Sequence, residues 1–283
     1  MRFRFIEAEK ASYSVTALCR VLRVRRSGFY AWRVRAPSVR ARANVAARVH
    51  VRAIYRQHRR RYGSPRVYRE LRAQGIALGR HRVARLMREE GLRAKGKRRY
   101  CVTTDSAHRL GVAPNRVARN FGAPAPNRVW LSDITYLATG EGWLYLTCVL
   151  DVYSRRMVGW AVDDSLHAEA TCRALTEATA RRRPRPGLVV HSDRGAQYAG
   201  EHFQRLLSQR DFISSMSRKG NCWDNAPMES FFATLKREIA DAPWPTKNAA
   251  EADLLAYFAY YNHERRHSAL DYLTPAEYES AAL

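Results

Sequence analysis

The sequence predicts an α/β protein: a mixed sheet with helices packed on it, preceded by a small all-α basic region. Three observations carry this. Three strand-like runs stand in a row between Arg128 and Asp164, after which helix and strand patterns alternate. The first 120 residues read instead as helices punctuated by glycine and proline. Charge divides the chain at the same place. Residues 1–120 hold 32 Lys+Arg and 6 Asp+Glu, whereas residues 121–283 hold 18 and 20.

Taken in order, SVTALCRVLRVRRSGFYAWRVR gives two short helices. Ala17, Leu18, Val21 and Leu22 form the apolar stripe of the first; Ser27 is expected to cap the second, which carries Phe29, Tyr30 and Trp32. This is a short helix-turn-helix or a plain helical hairpin. Val45 to Arg60 forms a basic helix with Val49, Ile54 and Tyr55 inside. Tyr62-Gly63 breaks it, and Ser64-Pro65 opens the next, serine as N-cap and proline in the first turn, with Val67, Tyr68 and Leu71 buried. Gly75 and Gly79 bound a turn. Arg80 to Glu90 follows, with Val83, Leu86 and Met87 on one side, Arg80, Arg82, Arg85 and Arg88 around the other, and Gly91 as stop. A helix pair with a glycine-bounded turn and an arginine-rich second helix suits DNA reading.

The stretch KGKRRY and the prolines at 124 and 126 mark a linker, and RVWLSDITYLAT, GWLYLTCVLDVYS and RRMVGWAVDD are the three strands. A helix over 167–182, a strand over 188–191, a helix over 200–209, a strand over 212–216 and a helix from about Asn225 complete the order βββ-α-β-α-β-α. The segments expected are thus 1–44 (basic helical), 45–95 (helix-turn-helix module), 96–127 (basic linker), 128–240 (sheet core) and 241–283 (C-terminal helical extension).

The net charge of +24, mostly arginine, points to a nucleic-acid partner, because guanidinium pairs bidentately with phosphate. The longest apolar candidate, Trp143 to Leu150, is too short to span a membrane, and MRFRFIEAEK has no secretory core. The five cysteines make no C-x-x-C pair, so neither a zinc ribbon nor a disulfide framework is expected, and a cytoplasmic, nucleoid-associated protein fits.

Three carboxylates sit where plain packing would not put them. Asp133 lies inside the first strand, Asp193 ends the fourth, and Glu229 lies in the helix near Asn225. In α/β sheets, strand ends and helix starts form the usual site crevice. Carboxylates gathered there repel unless a cation compensates, and an all-oxygen donor set suits Mg²⁺ or Mn²⁺. On the Glu229 helix, Met228, Phe232, Leu235 and Ile239 make the core stripe, and Glu229 shares an adjacent stripe with Lys236. Asp224 cannot share that face; it or Asn225 is expected to cap the helix.

WLSDITY, HSDRGAQY and NCWDNAPMESFFATLKRE resemble the signatures of DDE transposases, in particular the insertion-sequence-three family of bacterial elements. Thirty-five residues separate Asp193 from Glu229, the family's spacing, and Lys236 falls where the family carries a basic residue. YFAYYNHERRHSALDYLTPAEY resembles the family's ending, and residues 45–91 its N-terminal helix-turn-helix. The resemblance implies an RNase H-like, retroviral integrase-type core over 128–240. It also implies DNA strand transfer at Asp133, Asp193 and Glu229 with two Mg²⁺ or Mn²⁺ ions, and oligomeric assembly on DNA. A first-frame protein or its frameshift fusion would be the partner. No zinc is expected, since the His/Cys pairing of retroviral N-terminal modules is missing from the sequence.

Lys236, Arg80, Arg82, Arg85, Arg88, Arg194 and Arg265 are the candidate DNA contacts; Tyr261, Asn262 and His267 are divided evenly between DNA contact and packing on the core. Gly195 is expected to permit a sharp turn, Trp223 and Asn225 to shape the turn before the last helix, and His191 to be a packed strand residue. Two other classes stay open: a non-catalytic DNA-binding regulator, and an RNase H-like nuclease that hydrolyses without joining.

Overall fold

The computed structural model describes residues 1–95, 110–219, 221–240 and 242–281. The chain divides into two compact units, Met1–Arg93 and Ala94–Leu283. KGKRRY lies almost wholly outside the described residues.

The first unit is all helical. Helices α1 (Arg2–Glu9), α2 (Val15–Val21) and α3 (Arg26–Val34) enclose a small cluster of Ile6, Cys19 and Phe29, with Leu18, Leu22 and Trp32 packed around it. Val21, expected in the stripe, is 76% exposed; one residue of rotation puts Cys19 inside instead. Ser27 does not cap α3, which starts at Arg26, so that Ser27 falls within its first turn. The serine that caps is Ser14, whose Oγ accepts from the Ala17 amide at the start of α2.

Helix α4 (Val39–Gln57) begins earlier than expected because Ser38 caps it, accepting from the Ala41 amide at 3.1 Å. Val51, not Val49, lies inside with Ile54 and Tyr55; Val49 is exposed. Helix α5 (Ser64–Ala73) takes Gly63 as N-cap, so Ser64 and Pro65 both lie in its first turn and the serine oxygen caps nothing. Gly91, at φ +67°, follows α6 (Arg80–Glu89) in the left-handed conformation that ends a helix. Val51, Ile54, Val67, Leu71, Val83 and Leu86 are the interior that α4, α5 and α6 share.

The second unit is built on a five-stranded sheet of order β3-β2-β1-β4-β5. The strands are β1 (Val129–Thr139), β2 (Gly142–Asp151), β3 (Met157–Asp163), β4 (Val189–Ser192) and β5 (Ile213–Met216). The first three form an antiparallel meander, and β4 and β5 add parallel to β1. Helices α7 (Ala168–Arg182), α8 (Ala196–Ala199) and α9 (Glu201–Ser208) supply the crossovers that parallel strands require. After them come a 3₁₀ turn (Cys222–Asn225), α10 (Ala226–Glu238), α11 (Lys247–His263) and α12 (Pro275–Ser280). The expected order βββ-α-β-α-β-α is present, with the short α8 inserted.

Strand periodicity sorts the two faces. Trp130, Val149 and Val158 pack with Leu175 and Ala178 of α7 and Phe203 of α9 in one core. Gly159 on β3 lets α7 approach: a Cβ there would meet the Ala174 carbonyl oxygen at 2.3 Å. Asp133, Cys148 and Trp160 stand opposite one another across β1, β2 and β3. Trp160 meets Phe258 of α11 on that face, and Phe258 meets Phe231 of α10.

Candidate active site

Strand β4 is short, and that shapes the site. Its register with β1 ends at Leu131 opposite His191. Beyond it, among the described residues, this edge of β1 has no strand partner until the isolated bridge from Thr139 to Trp244. Asp133 on β1 and Asp193, the residue after β4, stand where the pairing stops. Helix α10 packs against β1 and brings Glu229 and Lys236 to the same place.

The Asp133 carboxyl feels its charged neighbours. Burial pushes the Asp133 carboxyl well above the usual carboxylate range; the negative charge of Asp193 and then that of Glu229 push it further. An amide bond from Ile134 (2.9 Å to Oδ1) and the Lys236 ammonium oppose the rise. Lys236 is lowered by its own burial and raised by Asp133, and its Nζ lies 4.8 Å from the Tyr136 ring centroid. Asp193 is fixed locally, its Oδ1 accepting from the Gly195 amide at 2.9 Å.

Gly195 serves a different purpose from the one expected. Its φ of −57° is open to any residue, so no special turn is needed. Space is what requires it: a Cβ would lie 3.1 Å from Asp193 Oδ1 and 2.8 Å from Gln197 Oε1.

Asp193 and Glu229 thus gather like charge around Asp133. Such a cluster is costly without a cation, and its oxygen-only donors fit a hard divalent ion. Among the described residues, no group of three or more His, Cys, Asp or Glu side chains is placed to hold a metal ion as the side chains stand.

Two groups near the site gain partners that only the fold supplies. Ser132 Oγ donates to the Cys148 carbonyl at 3.1 Å, so the 2.9 Å bond it shares with Tyr198 is donated by the phenol. Burial raises the Tyr198 phenol well above its usual range, and Asp133 and Asp193 raise it further. The second is Asp224. It caps nothing; its buried carboxylate accepts from the Arg218 amide, Nε and Nη2, from Arg119 Nε at 3.1 Å and from Asn115 Nδ2 at 2.9 Å. These partners, Arg218 first, hold it well below the usual carboxylate range. Asp224 thereby ties the turn before α10 to residues 115–119, part of the segment read as linker, where Val117 is buried. Trp223, expected to shape that turn, is 66% exposed; Asn225 does reach the strand, its Nδ2 donating to the Ser132 carbonyl.

His191 is packed as expected, bonded to Ser215 at 2.9 Å and Ser217 at 3.2 Å. Arg194 sends its Nε to the Ser217 carbonyl at 2.7 Å. Arg265 is no DNA contact: it is 3% exposed and paired with Glu238. Tyr261, Asn262 and His267 are buried too, so the end of α11 packs on the core. Glu238 and Phe231 are interior on α10, where the stripe had been read through Ile239, which instead ends the helix. On α6, Arg82 bonds Asn44 and Arg85 bonds Glu89, while Arg80 and Arg88 are exposed.

Comparison with known proteins bears on both units. Integrase core domain models match residues 123–222 and 211–275, and an HTH-like domain model matches residues 41–100. Fold and family matches thus define an RNase H-like integrase-core enzyme, a DNA strand transferase with a helix-turn-helix-like DNA-binding domain. The chain is 40% identical to the transposase InsF for insertion sequence IS3A of Escherichia coli strain K12, with 100% of both chains covered. It is 42% identical to the insertion element IS600 uncharacterized 31 kDa protein of Shigella sonnei, covering 92% of this chain and 97% of that one. The chain belongs to the IS3 family of insertion-sequence transposases. Among solved structures, the HTLV-2 integrase catalytic core in complex with magnesium (dimeric form) is 13% identical, with 55% of this chain and 98% of that chain covered and a TM-score of 0.42. The simian T-cell lymphotropic virus intasome is 14% identical, covering 81% of this chain and 74% of that one with a TM-score of 0.47.

Proposed function

We propose that Asp133, Asp193 and Glu229 are the reaction centre at which this transposase cuts and joins DNA strands. The observation that carries the reading is that Asp133 and Asp193 stand where β4 parts from β1, and that α10, which carries Glu229 and Lys236, packs against β1. Asp133 and Asp193 would hold one Mg²⁺ or Mn²⁺, and Asp133 and Glu229 a second. Ions bound there would polarise the phosphodiester and lower the pKa of the attacking hydroxyl or water. Lys236 supplies the positive charge that keeps a DNA phosphate against the acids. Gly195 leaves Asp193 its room, and Ser132 with Tyr198 supports the strand beneath Asp133.

The basic first unit would supply non-specific phosphate binding through Arg80, Arg82, Arg85 and Arg88, with Arg194 contributing at the core. No helix among the described residues is long and apolar enough to cross a membrane. The working assembly would be a homo-oligomer on paired element ends in the bacterial cytoplasm, at the nucleoid, together with the first-frame protein or as its frameshift fusion.

The test is a strand-joining assay on DNA carrying an element end. Joined products that vanish in Asp133→Asn, with DNA binding kept, support the proposal. Nicks without joining in the unaltered protein would establish the nuclease reading; full joining by the variant would remove Asp133 from the centre.

A further inference from the structure

A cavity of about 650 Å³ has Asp193, alone of the three acids, in its wall. Its other walls include Tyr136, Trp143, Tyr145, Leu166 and Gln197. That volume falls within the range of about 300–1,000 Å³ usual for small-ligand sites. The aromatic lining comes from strand periodicity: Tyr136 is opposite Tyr145 and Ala138 is opposite Trp143 across the β1–β2 ladder, so the three rings share one face. Tyr136 and Trp143 meet edge to face at 4.9 Å, which fixes their orientation, and Trp143 remains 52% exposed. Gln197 is anchored by its Nε2 to the Leu166 carbonyl at 3.2 Å, which sets an amide in the opposite wall. Lys236 reaches the Tyr136 ring from α10, so the cation beside the acids also touches the cavity lining.

The geometry points to this cavity as a binding site for one unstacked DNA base, that of a nucleotide flanking the phosphate held at the acids. The inference rests on Asp133, Asp193 and Glu229 being the reaction centre. A phosphate held there would leave the adjoining nucleoside next to the cavity, because Asp193 belongs to both. Aromatic faces accept any base by stacking, and a base taken out of the duplex costs least at a strand end or nick. Among the described residues, no strand pairs with this edge of β1 between Leu131 and Thr139. An ordered amide at Gln197 would then meet a base edge, whereas a water-filled crevice serving the acids alone would need no ring-lined wall.

The experiment crosses a protein change with a DNA change. The full chain and Trp143→Ala are titrated, without divalent ion, against element-end duplexes. These carry either a normal or an abasic nucleotide at each of the two positions on either side of the joined phosphate. Circular dichroism checks that the variant folds, as its exposed position predicts. One position is expected at which removing the base weakens binding about tenfold for the unaltered chain and not at all for Trp143→Ala. Effects that multiply at every position, or no effect of Trp143→Ala, would overturn the inference, and would leave the rings as a surface for another protein. Asp133→Asn is assayed for strand joining in parallel. If it joins normally the reaction-centre reading fails, independently of the coupling between base and ring.

Discussion

Arg265 and Glu238 are locked together inside the second unit: Arg265 Nε donates to both carboxylate oxygens of Glu238 at 3.1 Å, and Nη2 donates to Oε1 at 2.8 Å. Tyr257 adds a phenol bond to Glu238 Oε2 at 3.1 Å. The pair fastens the end of α10, the helix that carries Glu229, to the end of α11. Arg265→Met is expected to lower unfolding stability by about 3–5 kcal/mol, because it strands a buried carboxylate. Denaturant titration checks this. Arg80→Ala, at an exposed helix position, should leave stability nearly unchanged, weaken DNA binding and reduce the log–log salt slope by about one.

The start of α10 is fastened by Asp224. Asp224→Ala removes the acceptor for Arg218, Arg119 and Asn115 together. Joining should fall on the order of a hundredfold, as a misplaced reacting group does, while affinity for DNA changes little. Asp224→Asn, which keeps some acceptor capacity, should recover part of the rate. Equal loss of binding and of turnover would contradict a positioning role.

For the proposed reaction centre, Asp133→Asn, Asp193→Asn and Glu229→Gln are each expected to slow joining on the order of a thousandfold, about 4 kcal/mol of barrier. Gel-shift affinity should be retained. Removal of divalent ions with a chelator should arrest the unaltered protein in the same way.

Gly195→Ala tests the space around Asp193. The added methyl would stand 3.1 Å from Asp193 Oδ1, so the carboxylate must shift by a few tenths of an ångström. Joining should drop about tenfold, and stability should move by no more than about 1 kcal/mol. Kinetics and thermal melts on the same preparation separate the two.

Glu279 gives a pH dependence. Burial alone would raise its carboxyl, yet hydrogen bonds from Ser154 and Arg156 and the charge of Arg182 leave it lowered. The folded state therefore favours the ionised form. The resulting stability is present above the unfolded carboxylate value and is lost as pH falls through the lower folded one. Glu279→Gln should cost about 3 kcal/mol near neutral pH and lose part of the acid dependence seen in the unaltered chain. Unfolding curves between pH 3 and 7 report it, since Glu279 anchors α12 through Arg156 and Arg182.

Sequence alone determined the strands, the major helices and the two-part charge division, and singled out the three acids as candidates, because each leaves a local mark. Strand alternation, glycine stops and a carboxylate interrupting an apolar run are all visible within a few residues. The capping box at Thr274 and Glu277 is one such local signal that the structure contains. The fate of charged and polar side chains was decided only by tertiary structure. Arg265 reads like Arg80 in sequence, yet one is buried against Glu238 and the other faces solvent. Asp224 reads as a helix cap until residues 115 to 119 pack beside it and supply donors from across the fold. The rings of Tyr136, Trp143 and Tyr145 become one wall only through the β1–β2 register. A charge's partner and a cavity's lining depend on contacts between residues distant in sequence, whereas periodicity reports only each segment's own inward face.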